Sequence, residues 1–143
     1  MSKLNIIFWT MTGNTQIMAD CIADGAKSAG ADVKIYNVSE ITPAQALDAD
    51  MLALGCPAMG AEALEESEFE PFFAKLLPEL DGRTVALFGS YGWGGGEWMN
   101  KWQERVTAAG GTVFRGAGLI INDRPDDDGM TQCEELGKLL ARA

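Results

Sequence analysis

Four short stretches of the chain are apolar almost without interruption: Leu4-Asn5-Ile6-Ile7-Phe8-Trp9, Met51-Leu52-Ala53-Leu54-Gly55, Thr84-Val85-Ala86-Leu87-Phe88-Gly89 and Gly118-Leu119-Ile120-Ile121. Strands read this way when both of their faces are buried, as in a parallel sheet. A fifth run, Asp32 to Val38, alternates polar and apolar and predicts an edge strand. Helical stretches fall between the runs. Thr15 to Ala29 gathers Ile17, Met18, Cys21, Ile22 and Ala26 on one side, and Gly30 stops it. Thr42-Pro43 opens a short helix through Ala49, with proline at the first helical position. Ser67-Glu68-Phe69-Glu70 predicts a capping box ahead of Phe72, Phe73, Leu76 and Leu77. A fourth helix runs from Glu97 to Ala109. A second capping box, Thr131-Gln132-Cys133-Glu134, is expected to open a last helix carrying Leu136, Leu139 and Leu140.

Strand and helix thus alternate throughout. The expectation is a single doubly wound α/β domain over residues 1–143: five parallel strands with helices on both faces. In such a sheet ligands bind beyond the carboxyl ends of the strands, where the strand order reverses. The loops that matter are therefore residues 10–14, 56–66, 90–96 and 122–128.

Composition narrows the chemistry. The 143 residues are 47% hydrophobic and 22% charged, which is ordinary for a globule with a real core. Eleven Lys and Arg against 21 Asp and Glu give a net charge of −10, which argues against nucleic acid or an anionic membrane as a partner. There is no histidine, so imidazole catalysis and histidine metal sites are excluded. The three cysteines form no C-x-x-C pair; a disulfide framework is not expected, and a reducing cytoplasm is. No signal-peptide or membrane-spanning run is evident.

The first loop, Thr10-Met11-Thr12-Gly13-Asn14-Thr15, brings three hydroxyls and several backbone N–H groups to a helix N-terminus, which is an anion site. It is no Walker loop, because no basic residue occurs between Lys3 and Lys27. A phosphate there is held by neutral donors and the helix dipole; the plainer alternative is a capped strand-to-helix turn. The second loop is Gly55-Cys56-Pro57-Ala58-Met59-Gly60-Ala61-Glu62. In the third, Gly89-Ser90-Tyr91-Gly92-Trp93-Gly94-Gly95-Gly96, a tryptophan flanked by glycines projects from the edge and suits a flat partner.

Taken together, [ST]-x-T-G-N-T after the first strand, G-C-P-A-M-G after the third and G-S-Y-G-W-G after the fourth resemble the short-chain flavodoxins, in order and over the whole length. Flavodoxin is itself a stock illustration of this topology, so the resemblance implies strand order 2-1-3-4-5 with FMN at the switch between strands one and three. It further implies that Thr10, Thr12, Gly13, Asn14 and Thr15 wrap the FMN phosphate. Met59 would cover the inner face of the isoalloxazine ring and Trp93 the outer face. Glu62 would accept a hydrogen bond from the flavin N3–H, and backbone around Gly60, Gly92 and Trp93 would reach the ring edge. Ser90 would lie near the phosphate and ribityl end. Met11, Pro57, Ala58, Tyr91 and Gly94 complete the expected cofactor-binding set, with no catalytic residue and no metal ligand. Gly60 has no Cβ, so the 60–61 peptide turns cheaply; in the family its carbonyl accepts N5–H once one electron has arrived. Met11 stands where close relatives have glycine. Pro57 replaces a hydroxyl that some members offer the phosphate, and Ala61 and Gly95 occupy positions that are often polar or acidic.

The acidic residues then acquire a meaning. Residues 35–74 contain eight acids and no base, five of the acids between Glu62 and Glu70. At ~12 Å in water one unit charge contributes on the order of 0.3 kcal/mol. Several such charges and an apolar sandwich would oppose the last electron by a few kcal/mol. The expectation is a low-potential one-electron carrier with no substrate of its own. It would be monomeric and docked transiently by redox enzymes with basic surfaces. The alternative is a small FMN-dependent oxidoreductase such as a quinone reductase, whose substrate face Trp93 would block. A signalling receiver is rejected, because Thr10-Met11-Thr12, Cys56-Pro57 and Asn122-Asp123 stand where it needs acids and a lysine. Trp9, Trp98, Trp102, Cys21, Cys56 and Cys133 are expected to be packed residues, and Asp126-Asp127-Asp128 a solvated loop.

Overall fold

The computed structural model describes residues 2–143. Its strands are β1 (Lys3–Phe8), β2 (Asp32–Asn37), β3 (Met51–Gly55), β4 (Thr84–Tyr91), β5 (Thr112–Val113) and β6 (Leu119–Asn122). Its helices are α1 (Asn14–Ser28), α2 (Pro43–Ala46), α3 (Phe69–Leu76), α4 (Glu97–Ala108) and α5 (Asp127–Ala141). The strands are parallel, in the order β2-β1-β3-β4-β5, with β6 also paired to β4. The fifth sheet position is split: β5 pairs Thr84 and Val85, whereas β6 pairs Phe88 to Tyr91. Between the halves the chain makes a 3-10 turn in which Arg115 takes a left-handed φ of 61°.

Side-chain alternation explains the unbroken apolar runs. On β1, Leu4, Ile6 and Phe8 face one core layer and Ile7 the other; on β3, Ala53 faces the first and Leu52 and Leu54 the second. Each layer is closed by helices, with Met18, Ile22, Cys133 and Leu140 of α1 and α5 on one face. Phe69, Phe73, Trp98 and Trp102 of α3 and α4 cover the other. The edge strand β2 pairs only with β1 and stays partly exposed, as its alternation predicts.

Several helix starts differ from the sequence expectation. The Thr42 box forms, with Gln45 N–H donating to Thr42 Oγ1 at 3.1 Å and Thr42 N–H to Gln45 Oε1 at 3.0 Å. That helix ends at Ala46 rather than Ala49, and Arg83 takes the Leu47 and Ala49 carbonyls. The Ser67 box does not form. Glu65 lies beneath the start of α3 and accepts from the N–H groups of Ser67, Glu68 and Phe69 at 2.7, 2.7 and 2.9 Å, and from the Ser67 hydroxyl. The Thr131 box does not form either. Asp126 caps α5 one turn earlier by accepting from Gly129 N–H at 2.8 Å, and Thr131, inside the helix, donates to the Asp127 carbonyl. Asp126 to Asp128 are thus the cap and first turn of α5 rather than a loop. Trp9 is half-buried rather than core, its indole N–H donating to Glu68 Oε1 at 3.2 Å. Trp98, Trp102, Cys56 and Cys133 are buried as expected. Among the described residues no helix is long and apolar enough to cross a membrane.

Candidate cofactor site

The site grows from the way α1 begins. Gly13 holds its N-terminus at φ 94°, a left-handed conformation that glycine adopts without strain. No side chain caps the helix and no acid lies in its first turn. The Thr10 hydroxyl accepts from Gly13 N–H at 3.0 Å and curls the loop back on itself. The amide donors at the positive end of this helix are therefore left for a ligand.

Two other loops are laced to the first. Cys56 N–H donates to the Phe88 carbonyl and Ala58 N–H to the Ser90 carbonyl, both at 3.1 Å, so the second loop continues the pairing of β3 with β4. Buried Thr15 accepts from Ser90 N–H at 3.4 Å and ties α1 to the end of β4. Met59 and Ala63 exchange two backbone hydrogen bonds, 2.9 and 3.0 Å, which pin the base of a tight turn. Gly60 and Glu62 of that turn have φ values of 47° and 56°.

These contacts enclose a cavity of about 230 Å³ lined by Thr10, Met11, Thr12, Asn14, Thr15, Pro57, Ala58, Met59, Ser90, Tyr91 and Gly92, all named from the sequence. Asp123 lines it too, and sequence reading missed that residue. The available signal was its position just past the last strand, one of the four loops at the carboxyl edge. Its N–H donates to the Tyr91 carbonyl at 2.7 Å, and its φ is 55°. Five expected residues, Gly13, Gly60, Glu62, Trp93 and Gly94, do not line this cavity. Trp93 is 73% exposed on the third loop, and Met11, although a lining residue, is 68% exposed. Gly60 lies against a separate hollow of about 440 Å³ with Ala61 and Leu64. The Glu62 carboxylate turns to the start of α4, where it accepts from Trp98 N–H at 3.0 Å and fills the space that a Cβ on Gly94 would need.

The acidic run after Met59 is less bare than its sequence implies. Glu70 forms a bidentate pair with Arg105 at 2.7 and 2.8 Å. Glu68 accepts from Trp9, and Glu62 from Trp98. Glu65 is buried; burial alone would raise its pKa, but the hydroxyl of Ser67 and the N–H groups of residues 67–69 win and hold it at about 2. Burial pushes the Cys56 thiol up to about 12, which makes it an inert packed residue. Among the described residues no cluster of three or more acidic, cysteine or histidine side chains could hold a metal.

An open helix N-terminus walled by neutral donors, at the switch point between β1 and β3, is the arrangement by which doubly wound α/β proteins take nucleotide-like cofactors. Residues 6–137 match the family model described as flavodoxin. The chain is 46% identical to the flavodoxin of Megasphaera elsdenii over 98% of its own length and 99% of the other. It is also 46% identical to that of Clostridium beijerinckii, covering 96% and 99%. The solution structure of two-electron reduced Megasphaera elsdenii flavodoxin superposes with a TM-score of 0.88 at 45% identity, covering 98% and 99%. This chain belongs to the flavodoxin family. Its cofactor is FMN, and it is an electron carrier rather than an enzyme with its own substrate.

Proposed function

We propose that this chain shuttles single electrons at low potential, on FMN bound in the cavity between the 10–15, 57–59 and 90–92 loops. The open start of α1 carries the reading: a helix N-terminus with no side-chain cap and no first-turn acid, walled by threonine hydroxyls. Thr10, Thr12, Gly13, Asn14 and Thr15 receive the phosphate, and Ser90 the adjoining chain. Met59 and Trp93 cover the two faces of the ring. FMN supplies the electron chemistry; the chain supplies binding, orientation and field.

The turn at 59–63 would offer bound FMN a backbone acceptor. Its base is fixed by the Met59–Ala63 bonds, and its tip, Gly60, has open space where a Cβ would be. The Gly60 carbonyl would be free to turn toward bound FMN and accept a hydrogen bond from the ring without disturbing the base. Glu62 retains acceptor capacity beyond its bond to Trp98 and offers it to N3–H. Asp123 and the acids of the second loop oppose added negative charge on the ring. Net charge −10 supports transient docking, as a monomer in the cytoplasm, to enzymes with basic patches.

The test is reductive titration of apoprotein reconstituted with FMN. Two resolved one-electron waves are expected, the second well below the first. A single two-electron bleach, with NADH-dependent turnover by the pure protein, would transfer the reading to an oxidoreductase. Trp93→Ala should weaken FMN by roughly tenfold, about 1.4 kcal/mol of lost stacking, measured by flavin fluorescence quenching.

A further inference from the structure

On the side of the sheet opposite α3 and α4, α1 and α5 touch backbone to backbone. A Cβ on Gly25 would overlap the Glu134 carbonyl, and one on Gly137 would overlap the Ile22 carbonyl. Helices in such contact lie closer than the ~8–10 Å of side-chain-mediated packing. Each of these glycines is preceded by a cysteine four residues earlier: Cys21 before Gly25 and Cys133 before Gly137. Four residues is one turn, so each thiol lies on the face of its own glycine. Both helices return from parallel strands on one face, so they run in the same direction, and the equal spacing from the two contact glycines sets the two cysteines at corresponding positions along the seam. Cys133 is fully buried in the core layer, and half-exposed Cys21 packs against that layer from its rim. Cys56, the third cysteine, belongs to the opposite layer.

We propose that Cys21 and Cys133 form a cross-link site, at which a peroxide joins them as a disulfide that staples α1 to α5. The half-exposed thiol reacts first: the Cys21 sulfur attacks a peroxide oxygen, the O–O bond breaks, and Cys21 becomes a sulfenic acid while water leaves. The Cys133 sulfur then attacks the Cys21 sulfur, the S–O bond breaks, and the departing hydroxide takes the Cys133 proton as a second water. The two sulfurs together lose two electrons and the peroxide gains two. Burial, then the carboxylates of Glu134, Asp24 and Asp20, hold the Cys21 thiol above its ordinary range. Burial first, then Cys21 and Glu134, push Cys133 up to about 12. The thiols are therefore slow to react, so the cross-link forms under sustained peroxide rather than as a rapid sensor. It closes about four-fifths of the chain into one loop and involves no residue that lines the cofactor cavity, so it stiffens the scaffold without touching the ligand.

The holoprotein, treated with hydrogen peroxide and then alkylated, tests this. The intact chain should lose two hydrogens, and digestion should yield the Cys21 peptide joined to the Cys133 peptide. Dithiothreitol should separate them. The cross-linked form should melt on the order of 10 °C higher than the reduced form. Cys21→Ala, a change at a half-exposed position, should abolish both the joined peptide and the rise in melting temperature. Over-oxidation of Cys21 with Cys133 still alkylatable after denaturation would overturn the proposal. So would chains joined to each other through Cys21.

Discussion

The two helices that lie side by side on one face of the sheet, α1 and α5, begin in opposite ways. Asp126 caps α5 and Asp127 and Asp128 fill its first turn, so its amide donors and its dipole are answered by the chain itself. At the start of α1 stand a left-handed glycine, no capping side chain and no acid. Both starts face the carboxyl edge of the sheet, so position does not distinguish them. The difference lies in which one has been left unanswered. Omitting a cap costs a helix about 1 kcal/mol of stability, and α1 forgoes it at the one helix start that borders the cavity of threonine hydroxyls. On the proposed function, the incomplete helix terminus is the one that receives the ligand, and the complete one is scaffold.

Making α1 resemble α5 should break this contrast most severely. Asn14→Asp sets a carboxylate at the first helical residue, where it competes with the phosphate for the same donors. FMN affinity should fall by about two orders of magnitude, roughly 2.7 kcal/mol, in a fluorescence titration. Riboflavin, which lacks the phosphate, should bind as before, and the apoprotein should melt higher. Equal losses for both ligands would show that the start of α1 is not the phosphate site.

A third helix start sharpens the comparison. The Glu65 carboxylate serves α3 from below, and Glu65→Gln should cost about 2 kcal/mol in urea unfolding. The sign follows from a folded pKa near 2 against an ordinary value of 4.5. The ionised group contributes its full stability above about pH 4.5 and loses it as the pH falls toward 2. The variant should lack that part of the acid dependence. The smallest effect belongs to Asp126→Ala, at about 1 kcal/mol of stability with FMN affinity unchanged. A marked loss of FMN binding there would mean that α5 also serves the ligand.

The parallel sheet and the three motif loops were legible from the residues, because buried strands and glycine-rich turns leave strong local marks; the strand order came only with the resemblance to the short-chain flavodoxins. The helix starts were misread where a distant or earlier group supplied the cap. Ser67 and Thr131 satisfy the capping-box pattern, but Glu65 reaches α3 from the preceding turn and Asp126 closes α5 a turn sooner. Each competing acceptor is a charged carboxylate, which binds N–H more strongly than a hydroxyl. The acidic run was legible as charge but not as structure. Its partners, Arg105, Trp9 and Trp98, come from elements 35 or more residues away in sequence. Asp123 lay in a loop that the sheet topology had already singled out, but no local pattern announces the left-handed turn and the bond to Tyr91 that bring it to the cavity.

The split fifth strand has a consequence for the crowded cell. An uninterrupted border strand is a template onto which a second molecule can add its own backbone, the first step toward insoluble polymer. On this side a newcomer meets two rungs, then a detour through Arg115, then four rungs. No straight run is long enough to seed a growing fibre.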